Sequence, residues 1–219
     1  MSETRPDPAT AAPPSRGRGR KPARPAREVH PLLQRLWELH PRLFGARFRP
    51  LKVGIFEDLM ARHPDAFSRE ELKQALAQHV RSTRYLEAVA EGDARHDLDA
   101  QPVEPAAPEH VQHAILEVWR RRRGRDAEAA RQWACGRLVQ AIQASGLPRE
   151  SWLERMRSHD PEVQALLDAA LAEVGAVAAR REALVRAYRA SACSVEEFAS
   201  MYGLEPAVVE QALQASAPA

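Results

Sequence analysis

The stretch Arg49-Pro50-Leu51-Lys52-Val53-Gly54-Ile55-Phe56-Glu57-Asp58-Leu59 decides the reading of this chain. Pro50 suits the first turn of a helix, because its ring fixes φ and it has no N–H to leave unpaired. A helix starting there leaves the backbone donors near Lys52, Val53 and Gly54 without intrahelical acceptors, and such a terminus attracts phosphate. Lys52 adds a full positive charge at that point. Gly54 lets a ligand backbone approach closely, although a glycine required by helix packing is the structural alternative. The helix continues through Leu59 and Met60, and Pro64 ends it.

Outward toward the C-terminus, Ser68 with Glu71 three residues on has the capping-box spacing. The helix that follows turns Leu72, Leu76 and either His79 or Val80 to the core. Arg69, Lys73 and Arg81 recur at multiples of four, with Ala77 between them, and make one stripe opposite that core face. Such a stripe can follow a phosphate backbone or can simply be a solvated charged face, with Glu70 and Glu71 diluting its field. A short helix carries Tyr85, Leu86 and Val89, and Gly92 breaks it. Arg95-His96-Asp97-Leu98-Asp99 and the segment near Val103 are expected to form a small hairpin. Pro108 opens a helix with Val111, Ile115, Val118 and Trp119 on one side. Its last turn holds Arg120 to Arg123, where cations suit the negative end of the helix dipole.

Outward toward the N-terminus, Leu32, Leu33, Leu36, Trp37 and Leu39 have helical spacing up to Pro41. Residues 1–28 are expected to be a disordered basic tail rich in proline and arginine, since six prolines interrupt any helix and large apolar side chains are nearly absent. Within it Arg16, Arg18, Arg20, Lys21 and Arg24 form a cationic arm able to capture phosphate or merely to aid solubility. Net charge is only +2 over 219 residues, but it is unevenly placed. Residues 1–30 hold seven basic and three acidic groups, residues 31–100 eleven of each, and residues 126–219 nine basic and thirteen acidic.

The rear segment, 126–219, reads as an acidic, alanine-rich helical region, with helices expected near Ala127–Ser145, Arg149–Ser158, Pro161–Ala190, Val195–Tyr202 and Pro206–Ala215. Ala199, Gly203 and Val209 have the spacing of a helix-turn-helix unit at about 194–215. Its second helix contains no Arg or Lys, so packing on a protein partner, or on the rest of the chain, is favoured over DNA reading. An acidic rear is also expected to shield a basic front from non-specific nucleic acid.

Three strings carry a family resemblance. The opening stretch is one. Leu72-Lys73-Gln74-Ala75-Leu76 followed by Ser82-Thr83-Arg84-Tyr85-Leu86 is the second. Arg95-His96-Asp97-Leu98-Asp99 leading into Glu109-His110-Val111-Gln112-His113-Ala114 is the third. In this order, between about 29 and 125, they resemble the ProQ/FinO family of RNA-binding domains. The resemblance implies a mostly helical fold with a small β element and a concave basic face. It also implies RNA chaperone activity on structured RNA: small RNAs and mRNA 3′ ends, typically a hairpin with a short single-stranded 3′ tail. Arg49, Lys52, Gly54, Arg69, Lys73, Arg81, Arg84, Tyr85 and Arg95 are the implied RNA-binding residues, with the Arg16–Arg24 arm as auxiliary. Arg84 can grip phosphate, and Tyr85 can stack on a base or bond a terminal hydroxyl, or can be a half-buried aromatic with a wet tip. Arg95 matches a contact position or pairs with Asp97 or Asp99. Ala77 and Thr83 depart from the family pattern, where a basic residue and an aromatic are usual.

The fold expected is therefore mainly α with a small β-hairpin: a helical RNA-binding domain at 29–125 followed by an α-helical C-terminal region. Cys135 and Cys193 have no metal spacing and fit a reducing cytoplasm. No run of about 18 apolar residues suggests a membrane span. His110 and His113 share a helix but lack an evident third metal ligand. No nucleophile motif or glycine-rich phosphate loop is present, so neither an enzyme nor a cofactor is expected. The alternative function is a DNA-binding regulator or protein adaptor acting through the C-terminal helix-turn-helix.

Overall fold

Proline and small polar residues set where the helices begin. In the computed structural model, which describes residues 29–216, proline occupies the first turn of α1 (Pro31–Leu39), α2 (Pro41–Phe44), α6 (Pro108–Arg122), α9 (Pro161–Ser191) and α11 (Pro206–Gln214). Side-chain oxygens cap most of the others by accepting from backbone N–H groups. Ser68 caps α4 (Arg69–Val80), Ser82 caps α5 (Thr83–Ala90), and Asp126 caps α7 (Ala127–Ser145). Ser194 caps α10 (Val195–Tyr202) in a full reciprocal box with Glu197. The remaining helices are α3 (Ile55–Arg62) and α8 (Arg149–Met156).

A two-stranded antiparallel sheet, β1 (Arg95–His96) with β2 (Pro102–Glu104), interrupts the helices as expected. Its turn is tied by Asp97, whose carboxylate accepts from the N–H groups of Asp99 and Gln101, each at 2.9 Å. The fold is thus mainly α with one small hairpin.

The helix does not begin at Pro50. Leu51 instead forms a parallel bridge with His96, so that the Pro50 carbonyl accepts from His96 N–H (2.8 Å) and Lys52 N–H donates to the His96 carbonyl (2.9 Å). The chain then turns through Gly54 at φ 86°, and α3 starts at Ile55. The Lys52 N–H is therefore occupied.

The main core is continuous from Leu33 to Leu171. Helix α6 packs on α5 on one side and α7 on the other, while α7 packs on the first part of α9. Gln112, itself buried, donates from Nε2 to the Met156 carbonyl at 3.1 Å. Hydrophobic packing therefore does not stop at Arg125. Past Leu171 no residue of α9 is buried until Val185. A second small core, Phe198, Ala199 and Val209, joins the end of α9 to α10 and α11. The expected tail at 1–28, with Arg16, Arg18, Arg20, Lys21 and Arg24, lies outside the described residues. Among the described residues no helix is long and apolar enough to cross a membrane.

Candidate nucleic-acid interface

The Leu51 peptide organises the site. Its N–H donates to the Tyr85 hydroxyl at 3.1 Å, and its carbonyl accepts from Arg95 Nη1 at 2.8 Å. The strand-like path of Pro50–Lys52 beside β1 thus brings α5 and β1 to one place. Arg95 is held further by His110, whose Nδ1 lies 2.9 Å from Nη2. Arginine can only donate, so His110 Nδ1 accepts and its proton sits on Nε2. Glu104 approaches Arg95 Nε at 3.9 Å. The Arg95 side chain is only 16% exposed and is held in place by these contacts before any ligand arrives.

These groups line a cavity of about 320 Å³. Arg81, Tyr85, Arg95, His110, His113 and Arg121 all face it, beside apolar walls from Val80, Leu86 and Val89. Tyr85 is 7% exposed, and burial pushes its phenol above the ordinary value, while the bond from Leu51 N–H and the Arg95 charge work the other way. It is a neutral phenol at physiological pH. Since its oxygen accepts from Leu51, its own hydrogen remains to be donated. The cavity therefore offers a phenol, two imidazoles and three guanidinium groups, with the Glu117 carboxylate also on its wall.

Arg81 closes α4 and borders both this cavity and a neighbouring one of about 470 Å³ lined by His30, Gln74, Ala77 and Gln78. Arg69, Lys73 and Arg81 are all exposed and follow one another along the same face of α4, so the stripe read from the sequence ends at the cavity. Arg69 is stacked over the Phe56 ring at 5.2 Å.

Other expected residues are placed elsewhere. The Arg84 guanidinium lies over Phe48 at 4.6 Å and donates to the Ala46 carbonyl at 2.6 Å, off the cavity that its neighbour Tyr85 lines. Lys52 Nζ donates to Asp58 at 2.7 Å, and that bond raises its pKa. Arg62, Asp97 and Asp99 border the same depression, which holds two cations against three carboxylates. Arg49 donates from Nη1 to His96 Nε2 at 2.9 Å, leaving His96 to carry its proton on a buried, unpartnered Nδ1. Gly54 has only the Glu57 carboxylate near the position a Cβ would take, at 3.8 Å, so its role is conformational.

His110, His113 and Arg121 are site residues that sequence reasoning did not select. Their signal was present: with Glu117 they recur at three- and four-residue steps along α6, which puts them on one face. Among the described residues no group of three His, Cys, Asp or Glu could hold a metal ion.

At the other end of the molecule, α10, Gly203 and α11 form the expected tight helix pair. Gly203 takes φ 63°, and Leu204 N–H returns to the Ala199 carbonyl at 2.8 Å. The exposed face of α11 presents Ala207, Val208, Glu210 and Gln211 and no cation, which does not favour a DNA-reading role.

Comparison with known proteins agrees with the first half of the chain. The ProQ/FINO family model matches residues 26–131. A protein of Shewanella oneidensis named RNA chaperone ProQ is 38% identical over 91 residues, which are 40% of this chain and 43% of that one. One of the same name from Aeromonas salmonicida is 46% identical over 68 residues, covering 30% and 32%. The chain thus spans less than half the length of these curated relatives. Two solved structures match at TM-scores of 0.35 and 0.36. The first is a FinO-like RNA chaperone from Neisseria meningitidis (31% identity, 38% of this chain and 85% of that one). The second is a ProQ homolog from Legionella pneumophila (25% identity, 51% and 93%). The three sequence strings, the helical fold around one small hairpin and the family match coincide on the same residues, 26–131, which are similar to the ProQ/FINO family.

Proposed function

We propose that this chain is a non-catalytic RNA-binding protein and RNA chaperone. It takes the single-stranded 3′ end of a structured RNA, a small RNA or an mRNA end, into the Arg81–Tyr85–Arg95 cavity. The observation that carries the reading is the Leu51 peptide clamped between the Tyr85 hydroxyl and the Arg95 guanidinium at the wall of that cavity. A phenol that can donate to a ribose hydroxyl, beside preorganised cations for phosphate, is chemistry suited to an unpaired nucleotide. The cavity falls in the size range of small-ligand pockets. The family match and the curated relatives named RNA chaperones support the same reading.

Arg69 and Lys73 extend the cationic track along α4, and Arg16, Arg18, Arg20, Lys21 and Arg24 add phosphate contacts from the N-terminal arm. Lys52, Arg49 and Arg84, engaged by Asp58, His96 and Ala46, contribute less. The site of action is the cytoplasm, and 126–219 has a protein partner of its own or serves the RNA-binding domain.

The test is binding of a stem-loop RNA with a 3′ tail, by fluorescence anisotropy across a salt series. R95A loses a charged hydrogen-bond donor and is expected to weaken binding by about 10- to 100-fold. R81A is expected to weaken it by less and to lower the salt slope by about one. R84A should stay within about two-fold. Unchanged affinity for both R95A and R81A would reject this cavity as the RNA site.

A further inference from the structure

A second cleft lies beside the first, and the two share Arg121. It is formed where the start of α5, the end of α6 and the first turn of α7 meet, with a volume of about 490 Å³. Arg121, Arg122 and Arg125 face it against two carboxylates, Glu87 and Asp126. Asp126 is already engaged as the α7 cap, accepting from Ala129 N–H at 3.0 Å.

The three guanidinium groups are held differently. Arg122 donates to Glu87 at 2.6 Å and lies over the Trp133 ring at 4.2 Å, so its plane is fixed from both sides. Arg121 donates from Nη1 to the Arg81 carbonyl and to the Thr83 hydroxyl, each at 3.0 Å, with Glu117 at 3.8 Å. Arg125 is exposed, and its side chain has no partner among the described residues. Thr83 stands where the family pattern has an aromatic, and its small side chain forms part of the cleft wall. Two of the walls, Ala129 and Ala130, come from α7, at the edge of the family match and inside the acidic rear half.

We infer that this cleft is a second phosphate-binding subsite, which takes the backbone of the RNA stem as it leaves the Arg81–Tyr85–Arg95 cavity past Arg121. The inference rests on the RNA-binding reading above and adds to it that α7 builds part of the interface. Arg121 bridges the two depressions, so a backbone leaving one meets a cation already on the edge of the other. The Arg122 guanidinium, held by a carboxylate and an indole, presents its remaining donors in a fixed fork, the geometry that phosphate oxygens match. Alanine at 129 and 130 leaves room for the strand.

The experiment uses the full chain and two RNAs: a stem-loop with a 3′ tail, and the tail strand alone. Ala129 is an exposed position in the first turn of α7, where an acidic side chain suits the helix dipole, so A129E folds. A129Q is the size-matched neutral control, and R125Q tests the cation. On the stem-loop, A129E and R125Q are expected to weaken binding by about 3- to 10-fold and to lower the salt slope by about one, with A129Q near the parent. On the tail strand A129E should match A129Q. The inference is overturned if A129E equals A129Q on the stem-loop, if R125Q binds it as the parent does, or if A129E weakens both RNAs alike. If the parent chain binds neither RNA, the RNA reading itself falls, a failure distinct from any of these.

Discussion

At the scale of single residues, His79 links the site to stability. It is 1% exposed on α4, its Nε2 has no partner, and the rings of Phe44, Phe48 and Tyr85 lie within 5.2 Å between centroids. Burial lowers its pKa from 6.5 to about 4. The unfolded chain therefore takes up the proton first as pH falls. The stability this group confers is complete above pH 6.5, is lost progressively down to about pH 4, and changes little below that. Across that window the loss amounts to about 3 kcal/mol. Urea unfolding at pH 7 and pH 4.5 should show it, and H79L should flatten the difference. An equal pH dependence in H79L would assign the effect to other groups. Tyr85 packs against this imidazole, so an acid-induced opening at His79 would reach the cavity wall directly.

Individual elements show where sequence reading succeeds and where it stops. Helices with local start signals lie where the sequence puts them: Ala127–Ser145, Val195–Tyr202 and the starts at Pro161 and Pro206 coincide with the observed elements. Pro50 gives the same local signal, yet the helix begins five residues later. The reason is tertiary: Leu51 and Lys52 are captured by His96, far along the chain, and no local pattern reports that contact. The site follows the same rule. Tyr85 and Arg95 are legible in the family strings and Arg81 in the charge stripe of α4, but the meeting of Tyr85 with Arg95 depends on the Leu51 peptide, and Arg84, adjacent to Tyr85, is drawn away by Phe48 and Ala46. The turn that makes this path possible is Gly54. At φ 86° an alanine is strained although no atom blocks its Cβ. G54A is expected to cost about 1 kcal/mol in urea unfolding, and G54N to recover part of it, because asparagine tolerates the left-handed region. No loss in G54A would mean that the turn relaxes to another conformation.

For the whole molecule, the two halves are joined more closely than their opposite charges suggest. From charge alone, removing 126–219 should unmask a basic front. In the structure that segment supplies Leu138, Ile142, Trp152, Met156, Val163, Leu166, Leu167 and Leu171 to the same core as Ile115, Val118 and Trp119. Its acids also hold arginines at the end of α6 and its C-cap: Glu162 meets Arg123 at 2.5 Å, and Asp160 lies 4.0 Å from Arg120. A cut at Arg125 therefore strips both the counter-charges and the cover of α6. Each large apolar side chain left in water costs about 1.5–3 kcal/mol, so the shortened domain loses much of a typical margin of stability. A cut within the exposed part of α9 separates the two effects, since nothing between Leu171 and Val185 is buried. The fragment 1–176 is expected to keep the urea midpoint of the main core, whereas 1–125 should unfold at lower urea or without a cooperative transition. Equal midpoints would make α7 to α9 an appendage. A lower midpoint for 1–125 alone would mean that the domain matched by the family model is completed by the acidic half, so that a gain in RNA binding on truncation could be assigned to lost shielding only in fragments that retain residues up to 171.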